Sequence, residues 1–175
     1  MTTLINASTS SGLVMTPDNS GNVLLQYNGV STPAFSAYQS SQQTITQSSP
    51  SIVQFQTEEW DTAGYFNNTG SGNAYAFQPL VAGYYQINAQ VSYSSITATE
   101  VQPAMIYKNG SQLRRGNRFN LSSTNAYGMV SSLVYLNGST DYIQIYTFHT
   151  ASGSVALEQL DVRGNYFNGY LVRGA

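Results

Sequence analysis

The chain has 175 residues, of which 41% are hydrophobic and only 8% charged, for a net charge of −2. An average protein carries roughly 25% charged residues; this one has no basic footprint for DNA or RNA and no cationic patch for a membrane surface. It has no cysteine, which excludes disulfides and thiolate metal centres.

Ser, Thr, Asn, Gln and 14 tyrosines supply the polarity that charge does not. Thr and Tyr are good strand formers and Lys and Glu poor ones, so the composition points to an all-β protein. The length suits one domain with a real core. The start, MTTLINASTSSGLVM, lacks the basic residues and apolar run of a secretory signal. No stretch approaches the roughly 20 apolar residues of a membrane span.

In chain order, residues 1–32 are predicted to form an arm. A turn signal at Thr16–Gly21 precedes a strand at Val23–Tyr27, a hairpin too small to fold alone. The globular domain is predicted over residues 33–175. Strands are expected at Ala34–Tyr38 and Ile52–Thr57, around the polar loop Gln42–Pro50, and at Ala74–Gln78. The clearest alternation follows: Tyr85, Ile87, Ala89, Val91 and Tyr93 on one face, Tyr84, Gln86, Asn88, Gln90 and Ser92 on the other. Further strands are expected at Ala104–Lys108, Gly128–Leu136, Asp141–Phe148, Val155–Leu160 and Tyr166–Val172. About ten short strands at this spacing describe an antiparallel sandwich or jelly roll.

Asn-Gly pairs begin at Asn28, Asn109, Asn137 and Asn168. The first three lie between apolar runs and read as hairpin turns, because both residues tolerate positive φ. The last interrupts the strand NYFNGYLV, where glycine marks a bulge or a close approach of backbone.

Two strands are apolar or aromatic on both faces. Ile143 and Ile145 oppose Tyr142, Gln144, Tyr146 and Phe148, and Tyr84 opposes inward Tyr85. A second aromatic face needs cover, so Tyr84, Tyr142, Gln144, Tyr146 and Phe148 are expected to meet other copies of the chain.

Little else suggests chemistry. His149, the only histidine, lacks a nucleophile elbow and is expected at a solvent edge or interface. Glu58, Glu59 and Asp61 flank the only tryptophan, Trp60. They read as a solvated acidic loop; calcium would need six to eight oxygens, several from elsewhere. Trp60 and the basic cluster Arg114, Arg115 and Arg118 are candidate contacts for a partner or ligand. No enzyme, cofactor or resident metal is expected.

Six further pieces, in order, carry a resemblance. They are Pro33-Ala34-Phe35-Ser36-Ala37, Gly64-Tyr65-Phe66-Asn67, Ala82-Gly83-Tyr84-Tyr85, Met105-Ile106-Tyr107-Lys108-Asn109-Gly110, Leu133 to Gly138 with Tyr142 to Ile145, and Tyr166 to Leu171. Over about Pro33 to Val172 the chain resembles the complement C1q globular domain, whose jelly roll is shared with tumour necrosis factor. The resemblance implies a ten-stranded jelly roll and a homotrimer with aromatic faces at the three-fold axis. A collagen-like stem is missing, and the family's Gly-Asp step reads Gly138-Ser139-Thr140-Asp141. The wording of VAGYYQINAQVSY and YFNGYLVRG is similar to versions found in bacteriophage virion proteins, namely head decoration proteins and tail-fibre tips. With no shaft among these residues, the expected role is a non-enzymatic, trimeric capsid decoration or cement protein on the particle exterior, released by host lysis. Residues 1–32 would dock it to the major capsid protein or another virion protein. The alternative is the receptor-binding tip of a tail fibre or spike, touching a host-surface glycan or receptor.

Overall fold

The computed structural model describes residues 26–27, 30–159 and 163–175. Twelve strands and no helix occur among them, and every pairing is antiparallel. They are β1 (Gln26–Tyr27), β2 (Val30–Ser31), β3 (Ala34–Tyr38), β4 (Thr44–Ile45), β5 (Ser51–Ile52), β6 (Thr57–Asp61), β7 (Ala82–Lys108), β8 (Ser111–Arg115), β9 (Phe119–Asn137), β10 (Ile143–His149), β11 (Val155–Ala156) and β12 (Tyr166–Gly174). The predicted arm lies outside the described residues except for the small β1–β2 pair and the residue that follows it.

Strand β7 organises everything else. Its first half pairs with β9 on one side and β12 on the other. Its second half pairs with β8 and β10. One layer, the front, therefore runs β9-β7-β12-β3-β6; the other, the back, runs β8-β7-β10-β5. Between them the β7–β9 ribbon changes layer, and its register slips three times between Tyr93 and Val101. Ser95 and Ser123 take positive φ on opposite strands of this bend (41° and 50°). Such slips add twist and let a long ribbon turn a corner.

The core fills the space between the layers. Tyr85, Ile87, Ala89, Val91 and Tyr93 all point inward, as their alternation predicts, and Ile143 and Ile145 meet them from β10. Phe35 is the aromatic centre: its ring lies 4.3 Å from Phe77, 4.8 Å from Phe167 and 5.1 Å from Phe66. Buried hydroxyls find partners, with Tyr85 donating to the Val81 carbonyl and Tyr93 bonded to Thr147. Burial moves both phenols well above their ordinary range.

Several expected strands are redrawn. Residues 84–93 and 104–108 belong to one strand, β7. The Ile52–Thr57 run is divided between β5 and β6, with Val53 and Phe55 buried in the core between them. Ala74–Gln78 contributes only isolated bridges through Phe77. Ser111–Arg115 forms a strand, β8, where the sequence shows only a basic cluster.

The Asn-Gly pairs also divide. Asn109-Gly110 is the expected tight turn, with both residues at positive φ and Lys108 opposite Ser111. Asn28-Gly29 lies outside the described residues. Asn137-Gly138 is no hairpin, a correction to the sequence reading: β9 and β10 do not pair, and the turn carries the chain from front to back. Asn137 Oδ1 accepts from the N–H groups of Ser139, Thr140 and Asp141, and this local capping replaces a ladder. Gly169 marks a close approach, since a Cβ there would lie 2.9 Å from Ile87 Cδ1 and 3.0 Å from the Gln86 carbonyl oxygen.

Asp141 ties these turns together. Its carboxylate takes the Lys108 ammonium at 2.7 Å, Asn109 Nδ2 at 2.7 Å and the Asn137 N–H at 3.0 Å. Partial burial opposes its charge, but these three donors outweigh that cost and hold the carboxyl below the usual range.

Two tests follow from this geometry. Gly169→Ala lowers stability by about 1–3 kcal/mol through overpacking. Gly138→Ala costs more, because its φ is +70° and a Cβ would sit 2.3 Å from the Ala82 nitrogen; denaturant titration ranks the two. Asp141→Asn destabilises by about 1–3 kcal/mol at neutral pH. A carboxyl with a lowered folded pKa stabilises the fold above its unfolded value, about pH 4, and stops as pH falls through the folded value. Thermal melts of the two proteins therefore converge in acid.

Candidate assembly interface

Four of the five strands of the front layer are almost free of charge; its charged residues are Glu58, Glu59 and Asp61 on the edge strand β6 and Arg173 at the end of β12. Residues 34–38, 82–93, 126–137 and 166–172 contain no Asp, Glu, Lys or Arg. Strand alternation sends one residue in two outward, and the register aligns them across the sheet: Tyr84 beside Tyr135, Gln86 beside Leu133 and Tyr170, Gln90 beside Met129, Ser92 beside Tyr127. Tyr84, Tyr127, Met129, Leu133, Tyr135 and Tyr170 are each 43–55% exposed. Tyr84 and Tyr135 touch, with ring centroids 5.5 Å apart.

A polar row crosses this face and satisfies itself. Ser131 donates to Asn88 Oδ1 at 2.9 Å, Asn88 Nδ2 donates to Asn168 Oδ1 at 3.1 Å, and on the next two strands Ser36 donates to Glu59 at 2.8 Å. At the rim, Lys108 Nζ donates to the Tyr135 carbonyl and stands 5.7 Å from its ring centre. The face thus presents apolar and aromatic area around amides that are already bonded. A covering surface would meet little desolvation cost there.

Of the five residues expected at a subunit contact, only Tyr84 belongs to this face. Tyr142, Gln144, Tyr146 and Phe148 lie on or beside β10, in the back layer. Gln144 is 5% exposed and covered by its own chain, donating to the Ala74 carbonyl at 2.7 Å. Tyr146 stacks on Tyr107 at 3.9 Å, and Tyr142, Tyr146 and Phe148 are half-buried. Burial raises the phenols of both stacked tyrosines; Arg115 partly offsets this for Tyr107, while neighbouring Tyr107 and Tyr142 add to it for Tyr146.

The arginine candidates separate as well. Arg114 and Arg115 end β8, the edge strand of the back layer, and are exposed. Arg118 pairs with Glu100 at 3.1 Å. Arg115 shares a cleft with Phe148, so the structure joins two groups of candidates that lie far apart in the chain.

Trp60 is half exposed on β6, the edge of the front layer. The carboxylates beside it have separate uses. Asp61 accepts from the N–H groups of Ala63, Gly64 and Phe66. Glu59 holds Ser36 and Arg163. Glu58 has its carboxyl raised, by burial first and by the Asp61 charge second. His149 is neither at a solvent edge nor exposed, a second correction: it is completely buried, edge-on to Tyr93. Its Nδ1 accepts from the Ala151 N–H, which leaves Nε2–H to donate to the Ile45 carbonyl. The signal for burial lay in its odd-numbered place behind Ile143, Ile145 and Thr147, all inward.

No protein-family model and no curated protein sequence matches the chain. Solved structures do match in shape. The globular domain of zebrafish complement 1qA protein is 18% identical, with a TM-score of 0.57 over 82% of this chain and 99% of that one. Murine APRIL is 13% identical, with a TM-score of 0.59 over 81% and 99%. PRD1 vertex protein P5 is 15% identical, with a TM-score of 0.55 over 83% and 99%. At these identities the likeness establishes architecture: the protein has the jelly-roll fold of the C1q and tumour necrosis factor domains.

Proposed function

We propose that three copies of this chain close into a ring and serve as a non-enzymatic structural protein on the exterior of a phage particle, decorating or cementing the capsid. The observation that carries the proposal is the patch of the front layer, with charge only at its margins, that bears Tyr84, Tyr127, Met129, Leu133, Tyr135 and Tyr170. Interface cores are depleted in charge and enriched in Tyr and Met, and a contiguous patch of this kind is unusual on a lone subunit. In a closed ring each subunit offers this face and receives a different surface of its neighbour. The shared architecture with a vertex protein of phage PRD1 supports a particle setting. Residues 1–32 are the docking arm in this reading; three weak arm contacts act together at high effective concentration.

A second reading rests on Trp60, a large ring exposed at a sheet edge. Exposed tryptophans dominate binding hot spots, and a receptor-binding tip of a tail fibre or spike would use one.

Light scattering on the purified protein at micromolar concentration reads a trimer. The double substitution Leu133→Asp, Met129→Lys gives folded monomers, while Trp60→Ala leaves the trimer intact. A folded, wild-type monomer overturns the assembly reading. Deleting residues 1–32 leaves a trimer that no longer binds particles. Electron microscopy of labelled particles separates the two roles by showing head or tail, and loss of host-cell binding in Trp60→Ala favours the tip.

A further inference from the structure

The back layer carries a cleft on the side of the molecule away from the tyrosine-rich face. The cleft measures about 240 Å³. Met105, Tyr107 and Phe148 form its apolar wall, and Gln102, Glu100 and Arg115 its polar part. Register explains the grouping: Phe148 lies across from Gln102, and Met105 across from both Tyr146 and Arg115, so these side chains leave the sheet on one side.

The polar groups are unevenly satisfied. Glu100 takes Arg118 through Oε2 and the Gln102 amide N–H through Oε1. Gln102 is 6% exposed, and its Oε1 is buried without any donor. A buried acceptor left without a donor is costly, so such groups call for an explanation. Arg115 is exposed, and the ion pairs among the described residues engage Lys108, Arg118 and Arg163, not Arg115.

We propose that this cleft binds an acidic saccharide: a hydroxylated ring that bears a carboxylate. The guanidinium of Arg115 matches a carboxylate fork to fork. The less polar face of the ring packs on Phe148 and Tyr107, above the buried Met105, the usual composition of a small-ligand site being apolar walls with a few directing polar groups. Gln102 Oε1 has almost no exposed surface, so a ring hydroxyl supplies the donor it lacks only once the side chains over it move aside. Inorganic phosphate offers charge without a comparable ring or hydroxyl set, and a neutral sugar leaves Arg115 unused. An extended peptide would add to the exposed strand edge at β8; the cleft lies on the face of the sheet. The cleft and the tyrosine-rich face lie on opposite layers, and the test below reads ligand binding rather than oligomeric state.

The test is calorimetric titration of the full chain, in whatever oligomeric state it holds, with a glucuronate oligosaccharide, a glucose oligosaccharide, inorganic phosphate and an Asp-rich peptide. The uronate binds; the other three bind at least tenfold more weakly. Arg115→Ala weakens uronate binding about tenfold or more, the loss of one charge-assisted contact. Arg115→Lys restores part of it, and Gln102→Met weakens it with Arg115 present. Arg115 is exposed, so its variants keep the wild-type melting temperature, and that measurement guards against misfolding. The proposal is overturned by any of four results: no uronate binding at millimolar concentration, equal binding of the glucose oligosaccharide, unchanged affinity in Arg115→Ala, or tighter binding of the acidic peptide. Each of these leaves the light-scattering result untouched.

Discussion

The molecule depends on one continuous strand that belongs to two sheets. Strand β7 spans 27 residues, far beyond the usual five or six of a strand in a globular protein. A strand of that length cannot stay flat with one dry side and one wet side. It turns a corner near Tyr93–Val101, with β9 alongside, and starts a second layer facing the first. The core exists because both halves keep an apolar row on the concave side: Tyr85 to Tyr93 in one half, Ala104 and Ile106 in the other. The remaining strands dock on a frame that β7 has already bent.

This arrangement decides which outward residues are free to act. In the front layer, side-chain amides and hydroxyls bond to one another across β9, β7 and β12, leaving tyrosine, leucine and methionine as the unused surface. In the back layer, the aromatic residues lean on one another and on the chain's own loops. A similar surplus of outward aromatics thus has two meanings. One face is open and broad, suited to a large covering surface; the other is folded into a small cleft with the exposed guanidinium of Arg115 at its edge.

Much of the fold was legible because alternation is a local signal. Tyr85 to Tyr93 declared its inward face without help from any other strand, and Ala34–Tyr38 is bounded as expected. Gly169 was readable as a close approach because a glycine inside a strand has few other reasons to be there. Sheet membership was not legible. Asn137-Gly138 has hairpin chemistry, but whether two flanking runs pair depends on partners far away in the chain, and β7 outcompetes β9 for β10. For the same reason Tyr84 and Tyr146 look alike in the sequence: both point outward, but from different layers of the sandwich. The partners that satisfy His149 are not legible in the sequence, because a lone polar residue at a strand end looks exposed until the fold brings the distant Ile45 carbonyl and the Ala151 N–H to bracket it.

The position of β12 has a consequence for how the chain is made. Residues 166–174 insert between β7 and β3, in the middle of the front layer. During synthesis β3 therefore emerges early and waits, its pairing edge and the Phe35 ring without their neighbour, while more than a hundred further residues are translated. Sheets completed by such distant pairings fold slowly and expose sticky edges meanwhile. With so few charges the nascent chain has little repulsion to protect that edge, so the interval before β12 is made is the one in which β3 is open to wrong pairing.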